Sequence, residues 1–184
     1  MFEKFKMPSD REVLWVCGAQ GNEGKSFFQA YVESRFGYAR VARLDLRNRP
    51  CDVLHALAKR PLTSTDTFLF NLTRPKEKDD LVGYAVIESI KDGYATTTKY
   101  NSTAIRFKTP NVVAVFANEY PDFSQLSQDR WTCFEIGIAG DLKTVDATEA
   151  RQKQRIGNEK KCRGAIELYN KKGRVIKRIF DSPT

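Results

Sequence analysis

The sequence predicts an α/β fold, a central and mainly parallel sheet with helices on both faces. Three observations carry this. The runs EVLWVC (12–17), DTFLFNL (66–72) and NVVAVFAN (111–118) are apolar almost throughout, as strands buried on both faces are. Segments with helical spacing of apolar residues lie between them, and alternating strands and helices build parallel sheets. The first strand also runs straight into the glycine-rich GAQGNEGKS (18–26), which opens a helix. A sheet of this kind gathers its ligand sites at the carboxyl ends of its strands.

The elements follow in order. The first strand is 12–17. The helix after it covers 24–36, with Phe27, Phe28, Tyr31, Val32 and Phe36 at helical spacing and Gly37 as its stop. YARVARLD (38–45) is the second strand, and DVLHALAKR (52–60) is a short helix that Pro61 ends. The third strand, 66–72, is followed by a helix over 78–93 that Gly93 closes. YATTT and STAIRF flank KYN (99–101) and predict a hairpin with Lys99, Tyr100 and Asn101 at its tip. NVVAVFAN is the fourth long strand and WTCFEIGI (131–138) the fifth. Beyond 140 the pattern weakens: DATEARQKQRIGNEKK reads as a polar helix or a loop, and AIELYNKKGRVIKRIF as a basic hairpin. The expected organisation is one core, 1–140, with a basic extension over 141–184.

Composition narrows the classes. The chain has 184 residues, 41% of them hydrophobic and 29% charged, enough to bury a core. No apolar run approaches the ~20 residues that span a bilayer, and MFEKFKMPSDRE has no apolar stretch of a secretory signal. Four scattered cysteines with one histidine, His55, speak against zinc and for reduced structural thiols in an intracellular protein. The net charge of +8 is uneven, since residues 151–178 carry eleven Lys or Arg against two Glu. That segment suits a polyanion partner, or is a solvated basic tail.

The glycine-rich turn is the richest signal. It fits the tolerant form [A/G]-x4-G-K-S, beginning at Ala19. Glycines let the chain curl so that successive N–H groups converge on phosphate oxygens, and the following helix adds its positive end. The expected cradle is Gly21, Asn22, Glu23, Gly24, Lys25, Ser26 and Phe27. Lys25 would reach the β- and γ-phosphates of a nucleotide, and the Ser26 hydroxyl would ligate Mg²⁺. Phosphoryl transfer also needs a metal-ordering carboxylate, a group that positions water and a positive charge. At the third strand's end stands Asn71, which can bond a metal-bound water but carries no charge. Asn118 ends the fourth strand, where it could orient the attacking water, and Arg130 precedes the fifth. Each has a plain alternative: turn residues for the asparagines, a salt bridge to Asp129 for Arg130.

Four pieces in this order, GAQGNEGKS, FLFNLTRPKEKDD, GYAVIESIKDGYATTTKYNS and VVAVFANEYPDFSQLSQDRW, resemble the helicase domain of replication initiator (Rep) proteins of small circular single-stranded DNA viruses, especially the nanovirus and alphasatellite type. The resemblance covers 12 to about 138. It implies a superfamily 3 helicase, an AAA+-like P-loop ATPase that works as a ring, usually hexameric, on single-stranded DNA during rolling-circle replication in the host nucleus. By resemblance Lys25 and Ser26 are the Walker A pair, Asn71 lies at the Walker B acid, Asn118 is the motif C sensor and Arg130 the arginine finger. Lys91, Lys99 and Tyr100 fall in the block leading to the DNA-gripping hairpin, where Arg106 adds charge. The chain departs from the pattern at Asn71, where an Asp is expected, and has no His-x-His pair of a nicking domain, as an excised helicase domain would not. Two other functions stay open: a module that binds nucleotide and DNA with little hydrolysis because Asn71 is neutral, and an unrelated P-loop kinase.

Overall fold

The structure, a computed structural model, describes residues 11–18, 20–72, 82–97, 102–137 and 141–156. Among these are strands β1 (Val13–Cys17), β2 (Val41–Asp45), β3 (Thr67–Asn71), β4 (Tyr94–Thr97), β5 (Thr103–Arg106), β6 (Val112–Ala117), β7 (Trp131–Ile136) and β8 (Leu142–Val145). The helices are α1 (Lys25–Phe36), α2 (Pro50–Ala58), α3 (Tyr84–Lys91) and α4, over 147–156. Six strands form one sheet in the order β2-β3-β6-β1-β7-β8, and β4 and β5 pair as a separate hairpin. Every neighbour in the sheet is parallel except β8, which runs antiparallel to β7.

The continuous apolar runs are explained by burial on both faces. Alternate residues of each strand feed two cores. Leu14, Val16, Val41, Leu69, Ala114 and Phe116 pack under α1 with Val32. Val13, Trp15, Phe68, Phe70, Val113 and Val115 pack on the other face with Val53 and Leu57 of α2, Ile87 and Ile90 of α3 and Ile105 of the hairpin. Trp15 is fully buried at the centre. Its ring stacks on Tyr84 at 6.2 Å and meets Trp131 edge-on at 5.6 Å, and its indole N–H donates to the Glu119 carbonyl at 2.8 Å. Trp15→Ala should therefore cost about 3–5 kcal/mol of stability, read as a lowered midpoint in urea unfolding at unchanged slope.

The differences from the expected elements have local causes. Gly37, at φ 89, ends α1, and residues 38–40 form a turn, so β2 starts at Val41. The short helix α2 starts earlier than expected, at Pro50, whose fixed φ suits a first helical turn. Only 84–91 of the helix expected over 78–93 is seen; 78–81 lie outside the described residues. The sheet does not stop at 140: β8 and α4 continue the fold, and Val145 and Ala150 join the core. The described hairpin matches expectation, while Lys99, Tyr100 and the basic segment from 157 onward lie outside the described residues.

The strand order fixes what surrounds the carboxyl ends. Because β6 lies between β1 and β3, the exit of β1 has Asn118 as a close neighbour and Asn71 one strand further off.

Candidate functional site

The turn after β1 is held at both ends. The Gly18 amide donates to the Ala117 carbonyl at 3.0 Å, pinning the turn's start to β6, and the Phe28 amide donates to the Gly24 carbonyl at 2.8 Å, starting α1. Between them Gly21 (φ 78), Asn22 (φ 55) and Gly24 (φ 78) are left-handed, which curls the chain through this turn. Gly24 brings no capping side chain, so the first amides of α1 keep their donors for a ligand. Phe27 is 77% exposed; its share in a cradle is its backbone amide, not its ring.

The loop is already closed on an anion of its own. Lys25 Nζ donates to the Gly18 carbonyl at 2.8 Å and to Glu23 Oε2 at 2.6 Å, while Glu23 Oε1 accepts the Gln20 amide at 3.0 Å. Both side chains are only 12% exposed. Gly18 belongs to the same arrangement, because a side chain there would collide with the Glu23 carboxylate. Gln20 and Gly18 were not among the expected cradle residues. Gly18 was visible in the sequence as an extra glycine, whereas the part of the Gln20 amide depends on how the loop folds.

Asn118 directly follows β6, whose last residue holds Gly18, so it stands beside the loop. Asn71 ends β3 and borders an open cavity of about 400 Å³ between α1 and the ends of β2 and β3. Sequence reading brought these residues to one edge, and the topology does the same.

Arg130 stands at the other edge. It ends a 3-10 turn, Gln128–Arg130, and the next residue, Trp131, lies in register with Val13, the start of β1. The length of β1 therefore separates it from its own chain's loop. The expected alternative partner, Asp129, pairs with Arg11 at 3.0 Å instead. Arg130 pairs with Asp92 at 3.5 Å; its side chain is 9% exposed, and Nη1 is buried with no partner.

Lys91 requires a correction. It is 7% exposed, and its Nζ donates to the Asn111 carbonyl at 2.8 Å. Asn111 in turn donates to the carbonyls of Ile90 and Lys108. Lys91 thus braces the base of the hairpin, because its ammonium is spent on a buried carbonyl and does not face a polyanion. Arg106 is exposed and lies opposite Tyr94, which is 50% exposed, on the outer face of β4 and β5.

Burial pushes the Cys17 and Cys133 thiols up to about 12, so both stay protonated at neutral pH, as structural thiols do. Cys51 is free and exposed. Among the described residues no group of three His, Cys, Asp or Glu could hold a metal ion, and no helix is long and apolar enough to cross a membrane.

No protein-family model matches the chain. It is similar to Para-Rep C10 of Milk vetch dwarf C10 alphasatellite, 36% identical over 124 residues that make up 67% of this chain and 41% of that protein. Para-Rep C3 of Milk vetch dwarf C3 alphasatellite is 34% identical over 124 residues, 67% of this chain and 40% of that protein. Para-Rep C7 of Faba bean necrotic yellows C7 alphasatellite is 34% identical over 124 residues, with 67% and 41% covered. The chain thus spans about two fifths of the length of the relatives it matches.

Proposed function

We propose, since the chain is a homologue of the Rep proteins of circular single-stranded DNA viruses and their satellites, that it is an ATP-hydrolysing helicase module of the superfamily 3, AAA+-like kind, acting on single-stranded DNA as a ring, of six subunits by the family resemblance, in the host nucleus. The observation that carries the reading is the loop after β1, where a lysine and a backbone amide converge on a carboxylate at 2.6 and 3.0 Å. A site that binds a carboxylate with an ammonium and an amide is chemically suited to a phosphate.

The residues take these roles. The amides from Gly21 to Phe27 surround the phosphates, and Lys25 neutralises charge at the β- and γ-phosphates. Ser26 and Asn71 are oxygen donors for Mg²⁺, whose chemistry when bound is to neutralise charge on the transferred phosphoryl group. Asn118, beside the loop, orients the attacking water. Arg130 serves the loop of a neighbouring subunit. The hairpin, with Arg106 on its outer face, contacts DNA together with Lys99 and Tyr100 through phosphate charge and base stacking.

Before a triphosphate can enter, the Glu23 carboxylate must leave Lys25 and the Gln20 amide. Glu23→Gln should therefore tighten binding of a non-hydrolysable ATP analogue roughly three- to tenfold, less than the ~1.5–3 kcal/mol of a full charge-assisted bond because the glutamine oxygen still accepts from one of the two donors. Calorimetric titration reads it, and weaker binding would mean that Glu23 favours the bound nucleotide instead.

The test of the function is ATP hydrolysis with and without single-stranded DNA. Stimulation is expected. Turnover indifferent to DNA overturns the motor. The neutral Asn71 favours a second reading, nucleotide and DNA binding with negligible turnover, which the same assay identifies.

A further inference from the structure

The ends of β2 and β3 stand side by side, with Asp45 in register with Asn71. Strand alternation puts Arg43 and Asp45 on the same sheet face as Val41, and Asn71 on the face of Leu69, the face that α1 covers. The cavity of about 400 Å³ there is lined by Gln29, Glu33, Arg43, Leu44, Asp45 and Asn71. Glu33 and Arg43 pair at 3.1 Å, and one Asp45 oxygen accepts the Arg47 amide at 2.9 Å. Gln29 is 2% exposed, yet its Nε2 has no partner. A buried amide nitrogen left unpaired beside a polar cavity marks a place for an acceptor, such as a free water or an anionic oxygen. The cavity is close to the loop along α1, because Ser26, Gln29 and Glu33 recur three and four residues apart on one helix face.

We propose that Asp45 supplies the carboxylate that orders the water shell of the divalent cation carried by the nucleotide, a charge that Asn71 lacks; this rests on the ATP-hydrolysing reading above. The donor set fits such an ion. Mg²⁺ keeps several waters and is held by one or two carboxylates together with phosphates, not by an all-protein cage. The hydroxyl of Ser26, the amide oxygen of Asn71 and the carboxylate of Asp45 are all hard oxygen donors, and no three-acid cage exists among the described residues. Neighbouring strands lie about 4.8 Å apart, close to the span of one water between a cation and a carboxylate. With the acid on β2 in place of β3, the Asp45 carboxylate would act on the ion through water, beside Ser26 and the uncharged Asn71 as its direct oxygen donors.

The experiment measures Mn²⁺ binding by electron paramagnetic resonance, with ADP bound to the full chain. Asp45→Asn should weaken Mn²⁺ roughly tenfold, the low end of what losing an outer-shell partner costs, and leave ADP affinity in EDTA unchanged. Adding Asn71→Asp to that variant should restore Mn²⁺ affinity, which a misfolded chain would not do. Unchanged Mn²⁺ affinity in Asp45→Asn, with ADP still bound, overturns the role of Asp45 and spares the phosphate loop. Failure of the unsubstituted chain to bind ADP overturns both. Should Asp45→Asn fail to fold, Fe²⁺ and ascorbate with ADP cut the unsubstituted backbone near the ion: cuts at 45–47 support the proposal, and cuts confined to 18–26 overturn it.

Discussion

Lys25→Ala is expected to lower ATP turnover by at least about 10²–10³-fold, the loss that follows removal of one preorganised donor to developing charge. The fold should survive. The hydrogen bonds of Lys25 go to the Gly18 carbonyl and Glu23, both within the loop, and among the described residues none ties it to another strand or helix. The freed Glu23 can turn to solvent, because its neighbour Asn22 and the loop's outer side are exposed. Steady-state hydrolysis gives the loss, and circular dichroism with a thermal melt shows whether the chain remains folded. A folded Lys25→Ala chain that still turns over ATP would remove the loop from the mechanism. In combination with Glu23→Gln the effects should not add, because both substitutions act on the same 2.6 Å pair.

The fold was legible where burial leaves a one-dimensional trace. Runs such as VLWVC and VVAVFA are apolar throughout because both faces of β1 and β6 are covered, and no other architecture demands that of several short strands. The strand β8 left no such trace: in LKTV only Leu142 and Val145 turn inward, and the two residues between them are exposed. Lys91 was misread because a lysine at a helix end normally faces water. Its burial comes from Asn111, twenty residues away, which presents a carbonyl that only the folded hairpin brings near. The loop residues could be read from their order, but the inward turn of Glu23 could not, since it depends on the left-handed run at Gly21 and Asn22. Asp45 went unnoticed for a similar reason. It ends an unremarkable strand, and its meaning appears only when β2 and β3 pair and set it beside Asn71.

The largest effect away from the loop is expected at Arg130. From Val13↔Trp131 to Cys17↔Glu135 the strands β1 and β7 run parallel in register, so Arg130 lies one full strand, about 13–16 Å, from the end where its own loop begins. In its own chain it cannot touch the phosphate. In a ring with head-to-tail interfaces, one edge of each subunit faces the loop of the next. To reach it, Arg130 would have to leave its pair with Asp92, since its side chain is 9% exposed and Nη1 is buried without an acceptor. Arg130→Met, which keeps much of the buried stem, should lower turnover about 10³-fold or more while nucleotide affinity holds, as loss of an arginine finger does. Arg130→Lys should not rescue it, since an ammonium lacks the planar fork. The decisive measurement mixes Arg130→Met with Lys25→Ala, each inactive alone. In a randomly mixed ring about a quarter of the interfaces join an intact Lys25 to a neighbour's intact Arg130, so hydrolysis should return toward that fraction of the unsubstituted rate. No recovery, with mixed assembly verified by mass, would mean that Arg130 serves only the buried pair with Asp92.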